Sequence, residues 1–101
     1  MNSTSQPLHE ALRQQRTAVL EAALRHKAHN LRVFGSVARR AERSSSDIDI
    51  LVDALPGATL FDLGALQVEL EELLGAQVDL VTPGDLPMSF RSAVLADAVA
   101  I

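Results

Sequence analysis

Two aspartates, Asp47 and Asp49, stand two residues apart at the start of the apolar segment 48–52. Side chains two apart on a β-strand point to the same face, so these carboxylates are neighbours whose repulsion must be offset by a cation or a proton. A third aspartate, Asp79, interrupts the apolar segment 77–82 and can join the same face from an adjacent strand. Carboxylate oxygens are preferred ligands of Mg²⁺ and Mn²⁺. The three residues therefore predict a divalent-cation site, although surface strands also carry Asp-x-Asp without any ligand.

A Gly-Ser turn at Gly35 and Ser36 precedes these aspartates by a short segment. Glycine lets the backbone approach a ligand closely, and a serine at the start of a helical turn adds a hydroxyl to free N–H groups that attract phosphate. The competing interpretation is an ordinary strand-to-helix turn in which Ser36 caps the helix. A phosphate on this turn and a cation on the aspartates can meet only if the two flanking strands run antiparallel side by side.

The hydrophobic pattern predicts the elements that position these groups, in the order αβαβαβα. The helix signals are clearest where Thr59 and Asp62 form the pattern of a capping box and Gly75 fits a C-terminal cap. This order predicts an α/β protein with a small mixed three-stranded sheet flanked by helices, in a single domain spanning residues 1–101. The predicted helices are 7–28, 37–42, 60–74 and 87–100, and the predicted strands are 31–34, 47–52 and 77–82.

Composition and charge narrow the class of protein. The chain has 101 residues, 48% apolar and 22% charged, and no cysteine, so it should fold without a disulfide framework or a thiolate metal site. No apolar run approaches the ~20 residues of a membrane span, and a cytoplasmic protein without membrane contact is expected. Residues 1–43 carry eight basic and three acidic side chains, a net +5, whereas residues 44–101 carry one basic and ten acidic, a net −9. This division suits a metal-bound nucleotide, although compositional drift on exposed helix faces also explains it.

The Gly-Ser turn, the Ser-Asp-x-Asp sequence and the later aspartate together resemble the minimal nucleotidyltransferases, small members of the DNA polymerase beta-type nucleotidyltransferase superfamily. The family pattern is Gly-Ser-x-Ala-Arg-Gly, then Ser-Asp-x-Asp and an apolar residue, then an aspartate in a later strand. Arg40 departs from it, because many relatives have glycine there. The resemblance covers essentially the whole chain and implies a polymerase beta-like nucleotidyltransferase fold. The matching residues are Gly35, Ser36, Ala38, Arg39, Ser46, Asp47, Ile48, Asp49 and Asp79.

The resemblance implies a Mg²⁺-dependent transfer of a nucleoside monophosphate, AMP from ATP in this family, to an acceptor hydroxyl with release of pyrophosphate. The catalytic residues would be Asp47, Asp49 and Asp79, which would also hold two Mg²⁺ ions, with Mn²⁺ as an alternative metal. Asp79 would in addition serve as the general base. The nucleotide-binding residues that the resemblance implies are Gly35, Ser36, Arg39 and Ser46.

The resemblance also implies a partner, because small members of this family are commonly antitoxins paired with a HEPN-domain ribonuclease toxin. A toxin tyrosine would accept the AMP, and the chain contains no tyrosine of its own. The alternative is a non-catalytic antitoxin that neutralises its partner by binding alone. The segment 86–101 has more apolar side chains than one core-facing helix needs, which favours a protein-binding surface. With only three aromatic residues, nucleic acid is not an expected partner, although RNA stays open as an acceptor.

Overall fold

Helices and strands alternate along most of the chain. The computed structural model describes residues 8–38 and 47–101, apart from the side chains of Ser36 and Val37. The helices are α1 (Leu8–Gln14), α2 (Arg16–Arg25), α3 (Gly35–Ala38), α4 (Leu60–Leu74) and α5 (Met88–Asp97). The strands are β1 (Ala28–Phe34), β2 (Ile48–Ala54), β3 (Val78–Val81) and β4 (Val99–Ala100), and a 3₁₀ turn spans Pro83–Asp85.

The strands form one mixed sheet in the order β3-β2-β1-β4. β1 runs antiparallel to β2, which is the arrangement that the Gly-Ser turn and the aspartates require. β2 and β3 are parallel, and β4 pairs antiparallel with β1. The predicted α/β class with a mixed sheet flanked by helices is therefore confirmed, and the sheet has a fourth strand in addition to the predicted three.

The fourth strand comes from a segment whose apolar pattern predicts helix up to residue 100. α5 ends at Asp97, and the chain then extends along the open edge of β1, where Val99 pairs with Val33 and Ala100 with Arg32. The Ile101 N–H continues this pairing by donating to the Leu31 carbonyl at 3.1 Å. The unpaired backbone groups of an edge strand compete with helix formation for these residues, and no local pattern reveals that competition.

The helix predicted for residues 7–28 is interrupted at Gln15 and ends at Arg25. The interruption is slight, because the Gln15 N–H still donates to the Ala11 carbonyl at 3.0 Å and the Val19 N–H to the Gln15 carbonyl at 2.9 Å. The end is abrupt, because Lys27 adopts a left-handed conformation with a φ of 61° before β1 begins. Strand β1 therefore begins at Ala28, three residues before the start of the predicted strand.

The hydrophobic core lies between one face of the sheet and helices α1, α2 and α4. Ile48, Ile50 and Val52 of β2 are completely buried on this face. Because side chains alternate along a strand, Asp49 points to the opposite face, away from these helices. The core residues are Leu8, Ala11, Leu12, Val19, Ala22, Ala23, Ala28, Leu31, Val33, Ile48, Ile50, Val52, Leu66, Leu70, Leu74 and Val78.

Helix α4 begins and ends as its sequence predicts. The Asp62 N–H donates to the Thr59 hydroxyl at 3.2 Å, and the Thr59 N–H donates to the Asp62 carboxylate at 2.8 Å. This backbone hydrogen bond from Thr59 lowers the pKa of Asp62. Gly75 closes the helix with a φ of 66°. No helix within the described ranges has the length and hydropathy that crossing a bilayer requires.

One ion-pair cluster joins α2 to α4 on the surface. Arg25 donates to both carboxylate oxygens of Glu69, at 3.0 and 2.6 Å, and His26 Nε2 lies 2.9 Å from the same group. The hydrogen bonds from Arg25 and then from His26 lower the pKa of Glu69 to about 2 from its usual 4.5. A carboxylate with a lowered pKa contributes stability above the unfolded-state pKa, and this contribution disappears as pH falls through the folded-state value.

Glu69→Gln should therefore reduce the loss of stability between about pH 4.5 and pH 2, because the variant has no carboxylate to protonate in this window. Urea unfolding at pH 7, 4.5 and 2.5 measures the effect. Glu72→Gln, on an exposed position of the same helix, is the matched control and should follow the parent. If the parent and Glu69→Gln lose stability in parallel below pH 4.5, the Arg25–Glu69 pair does not stabilise the fold.

Candidate active site

Asp49 and Asp79 are brought together by the pairing of β2 with β3. The two strands are parallel, and Asp49 is directly in register with Asp79. Residues in register on adjacent strands project to the same face, so the two carboxylates are neighbours across the sheet. Asp49 is partly buried and Asp79 is exposed. The face that carries them is the one opposite the helical core.

Asp47 lies just outside the strand that its spacing predicts for it. β2 begins at Ile48, whose N–H donates to the Gln77 carbonyl at 2.9 Å, and Asp47 is exposed immediately before this first hydrogen bond. Within residues 8–38 and 47–101, the carboxylates of Asp47 and Asp79 make no hydrogen bond or ion pair. Two exposed carboxylates without such partners can still accept a cation.

The donor set fits a hard divalent cation only in part. Its chemistry is appropriate, because the three candidate ligands are all carboxylates and two of them are in register on adjacent strands. Among the described residues, however, no group of three or more acidic, histidine or cysteine side chains is gathered closely enough to hold a metal ion. The register pair Asp49 and Asp79 is therefore the part of the predicted metal site that strand pairing arranges.

Gly35 packs directly against the carboxylate of Asp49. The residue before it, Phe34, pairs with Asp49 across the antiparallel strands, and Gly35 then turns into α3 with a φ of 71°. A Cβ at position 35 would lie 2.5 Å from the Asp49 Oδ2 atom. Both the left-handed conformation and the contact disfavour a side chain here. Glycine at this position thus leaves room for the Asp49 carboxylate, a role that the sequence pattern alone does not indicate.

The other predicted nucleotide-binding groups are not all described. The backbone of Ser36 is helical within α3, directly after β1, but its side chain lies outside the described part of the structure. Arg39 and Ser46 also lie outside the described residues, as does most of the helix predicted for 37–42. Of the predicted site residues, the structure therefore places Gly35, Asp47, Asp49 and Asp79.

Asp53, the next acidic residue along β2, serves a different purpose from Asp49. Its carboxylate accepts hydrogen bonds from Asn30 Nδ2 and from Arg32 Nη2, both at 2.8 Å. The Asn30 hydrogen bond, followed by the Arg32 charge, lowers the pKa of Asp53. Asp53 is thus an ion-paired structural carboxylate on the same strand as Asp49, which makes it a useful comparison for the candidate catalytic residues.

A groove of about 460 Å³ opens beside Gly35, between the end of β1 and helix α5. Sequence reasoning missed it, because small apolar residues on a predicted helix do not reveal which element that helix faces. Gly35 belongs both to the wall of this groove and to the surroundings of Asp49. The described residues that line it are Phe34, Gly35, Ala93, Val94, Ala96 and Asp97.

Comparison with known sequences gives the family. The sequence profile of the polymerase beta nucleotidyltransferase family matches residues 19–101. A candidate protein adenylyltransferase of Methanocaldococcus jannaschii is 38% identical over 81 residues, covering 80% of this chain and 87% of the relative. The protein adenylyltransferase MntA of Thermococcus cleftensis is 40% identical over 67 residues, covering 66% of this chain and 68% of MntA. The chain therefore belongs to the polymerase beta nucleotidyltransferase family and is a nucleotidyltransferase.

Solved structures agree with this assignment. The structure of a candidate minimal nucleotidyltransferase is 43% identical and aligns with a TM-score of 0.86, covering 98% of this chain and 100% of that chain. A toxin–antitoxin structure with AMP-PNP aligns with a TM-score of 0.69 at 23% identity, covering 86% of this chain and 69% of that chain. At this lower identity the likeness supports the fold alone. The predicted minimal nucleotidyltransferase fold is confirmed.

Proposed function

We propose that this nucleotidyltransferase transfers AMP from ATP to a hydroxyl group of a partner protein. The observation that carries the proposal is the register pair Asp49 and Asp79 beside the Gly35 turn. This arrangement puts two carboxylates next to the start of a helical turn, where free N–H groups attract phosphate. Relatives that are named protein adenylyltransferases support the choice of AMP and of a protein acceptor.

Each candidate residue then has a distinct part in the reaction. The backbone N–H groups at Gly35 and Ser36 would bind the outer phosphates of the triphosphate, with Arg39 and Ser46 as further nucleotide contacts. Asp47, Asp49 and Asp79 would hold two Mg²⁺ ions, or Mn²⁺, which neutralise the triphosphate and make the acceptor hydroxyl more acidic. Asp79 would accept the proton of that hydroxyl as it attacks the α-phosphorus and pyrophosphate leaves.

The partner that we propose is a HEPN-domain toxin, with a tyrosine hydroxyl as the acceptor and this chain as its antitoxin. The chain has no tyrosine, so a modified tyrosine must lie on another molecule. The C-terminal segment leaves apolar side chains in solvent: Met88 is 77% exposed, Phe90 58% and Val99 52%. Apolar side chains left exposed on one segment suit a protein partner. Solved structures with the same fold include toxin–antitoxin complexes, which supports the same choice of partner.

Labelled ATP tests the reaction and the acceptor together. With a HEPN-domain toxin as the candidate partner, Mg²⁺ and ATP labelled at the α-phosphorus, we expect label on the partner and a mass increase of one AMP on a tyrosine. ATP labelled at the γ-phosphorus should leave both proteins unlabelled, because the outer phosphates leave as pyrophosphate. Label from the γ-position would indicate phosphoryl transfer instead, and α-label on this chain alone would contradict a partner acceptor.

The alternative is that this chain neutralises its partner by binding alone. It would be favoured if the partner lost its ribonuclease activity in the complex while the α-label stayed in free ATP. The same reaction mixture distinguishes the two functions when ribonuclease activity is followed with and without ATP, since only the enzymatic antitoxin needs the nucleotide.

A further inference from the structure

Glu71, near the end of α4, reaches across to the first residue of β3. Its carboxylate oxygen Oε2 accepts a hydrogen bond of 3.0 Å from the Val78 N–H, in a partly buried position. The Glu71 carbonyl also accepts a hydrogen bond of 2.9 Å from the Gly75 N–H, which closes the helix. One residue therefore holds both ends of the short connection between α4 and β3.

The Val78 N–H points to the outer edge of the sheet. Within the described part of the chain, β3 is an edge strand that pairs with β2. The Gln77 carbonyl faces β2, because it accepts from the Ile48 N–H at 2.9 Å. The C=O and N–H of one trans peptide point in opposite directions, so the Val78 N–H faces away from β2. Glu71 supplies the acceptor that no neighbouring strand provides there, and a charged acceptor makes a stronger hydrogen bond than a neutral one.

The last turn of α4 is an unfavourable place for a carboxylate that has no such partner. The C-terminal end of a helix carries partial negative charge, which disfavours acidic side chains, and this turn contains no basic residue. Glu72 lies beside Glu71 in the same turn and is exposed, whereas Glu71 is partly buried. The hydrogen bond to Val78 therefore offsets a cost that α4 itself imposes on Glu71.

The placement of Asp79 depends on the backbone of β3. Asp79 follows Val78 directly and is in register with Asp49. Its carboxylate makes no hydrogen bond or ion pair within residues 8–38 and 47–101, so no such contact fixes its position independently of the strand. β3 has only four residues, and the hydrogen bond to Glu71 holds the first of them. A displacement of Val78 is therefore transmitted to Asp79.

We infer that Glu71 is a positioning residue for nucleotide transfer, which keeps Asp79 in register with Asp49 by holding the Val78 N–H. The inference rests on the proposed function, in which Asp79 accepts the proton of the acceptor hydroxyl. The Gly35 turn, which would bind the outer phosphates, follows β1 on the other side of β2 from β3. Loss of the Glu71 hydrogen bond should therefore affect the transfer step more than the binding of Mg-ATP.

Three substitutions at Glu71 separate the reach of its side chain from its charge. Glu71→Ala removes the acceptor, Glu71→Asp keeps the charge on a side chain one methylene shorter, and Glu71→Gln keeps the length and an acceptor oxygen without the charge. At saturating Mg-ATP, kcat for transfer to the partner should fall by about ten-fold in Glu71→Ala and Glu71→Asp, as when other partners that hold a reacting group are removed. Glu71→Gln should keep most of the activity, and all three variants should bind Mg-ATP with nearly the parent affinity.

Glu72→Ala is the matched control, since it removes a carboxylate from the same turn at an exposed position. It should keep the parent kcat. Hydrogen exchange of the Val78 amide gives a second measurement, which does not depend on activity. Exchange should be about ten-fold faster in Glu71→Ala and Glu71→Asp than in the parent and Glu71→Gln. If Glu71→Ala does not fold, the comparison of Glu71→Asp with Glu71→Gln decides the question by itself.

The parent kcat in Glu71→Asp, or an unchanged exchange rate of the Val78 amide in that variant, overturns the inference. An equal loss of kcat in Glu71→Gln and Glu71→Asp also overturns it, because charge rather than reach would then matter. A matching loss of Mg-ATP affinity overturns it as well, because it would indicate general disruption of the site. In each of these cases the parent still transfers α-label, so the proposed function stands. If the parent transfers no label to its partner, the proposed function is wrong and this inference is wrong with it.

Discussion

Asp47→Asn together with Asp49→Asn should lower nucleotide transfer by on the order of 10³-fold or more, because the amides can neither hold a divalent cation as carboxylates do nor neutralise it. Metal-dependent ATP binding should be lost as well. The fold should remain, since Asp47 is exposed, asparagine has nearly the same shape as aspartate, and two like charges are removed. Transfer of α-label measures the first effect, and circular dichroism with thermal unfolding measures the last.

Asp53→Asn is the matched control for this double variant. It removes a carboxylate from the same strand, but one that is bound to Asn30 and Arg32 and is not assigned to the reaction. We expect it to lose some stability and to keep transfer activity. Transfer by the double variant at the parent rate would remove Asp47 and Asp49 from the site. A double variant that loses transfer yet still suppresses its partner would favour the binding-only alternative.

Gly35→Ala should lower transfer by on the order of 100-fold, the effect of displacing a catalytic group by about 1 Å. The new Cβ would lie 2.5 Å from Asp49 Oδ2, closer than such atoms approach, so the carboxylate must shift from its present position beside Gly35. The φ of 71° adds a cost of about 1–2 kcal/mol for a residue with a side chain. Steady-state transfer and urea unfolding measure the two effects separately.

Gly75→Ala separates backbone strain from the contact with Asp49. Gly75 has a φ of 66°, close to that of Gly35, but no described atom lies within 4 Å of a Cβ at this position. The control should therefore lose a similar amount of stability and keep its transfer activity. Equal losses of transfer in both variants would show that strain, rather than displacement of Asp49, explains the Gly35 result.

Features encoded by residues close in sequence could be predicted without a structure. The capping box of α4 depends on Thr59 and Asp62, three residues apart, and forms through hydrogen bonds between neighbours in the chain. The Gly35 turn at the end of β1 and the strand that carries Asp49 also follow from local spacing. The joint motif then indicated the family, because few proteins combine these short patterns in one order.

Features that depend on pairing between distant segments were decided by the tertiary structure alone. Asp49 and Asp79 are 30 residues apart, and their register follows from the way β3 docks on β2. The start of β2 at Ile48 leaves Asp47 outside the strand, because pairing begins with the Gln77 carbonyl.

The structure of the C-terminal segment also could not be predicted from its local sequence pattern. Its alternation of small and apolar residues is compatible with helix throughout, yet Val99 and Ala100 form β4 because β1 offers an unpaired edge. The groove arises from the same return of the chain, which brings Ala93 and Ala96 of α5 beside Phe34 and Gly35. Local residue types thus determined the reactive groups of this protein. Long-range strand pairing and helix docking, whose energies depend on segments distant in sequence, decided which of those groups meet and what surface lies beside them.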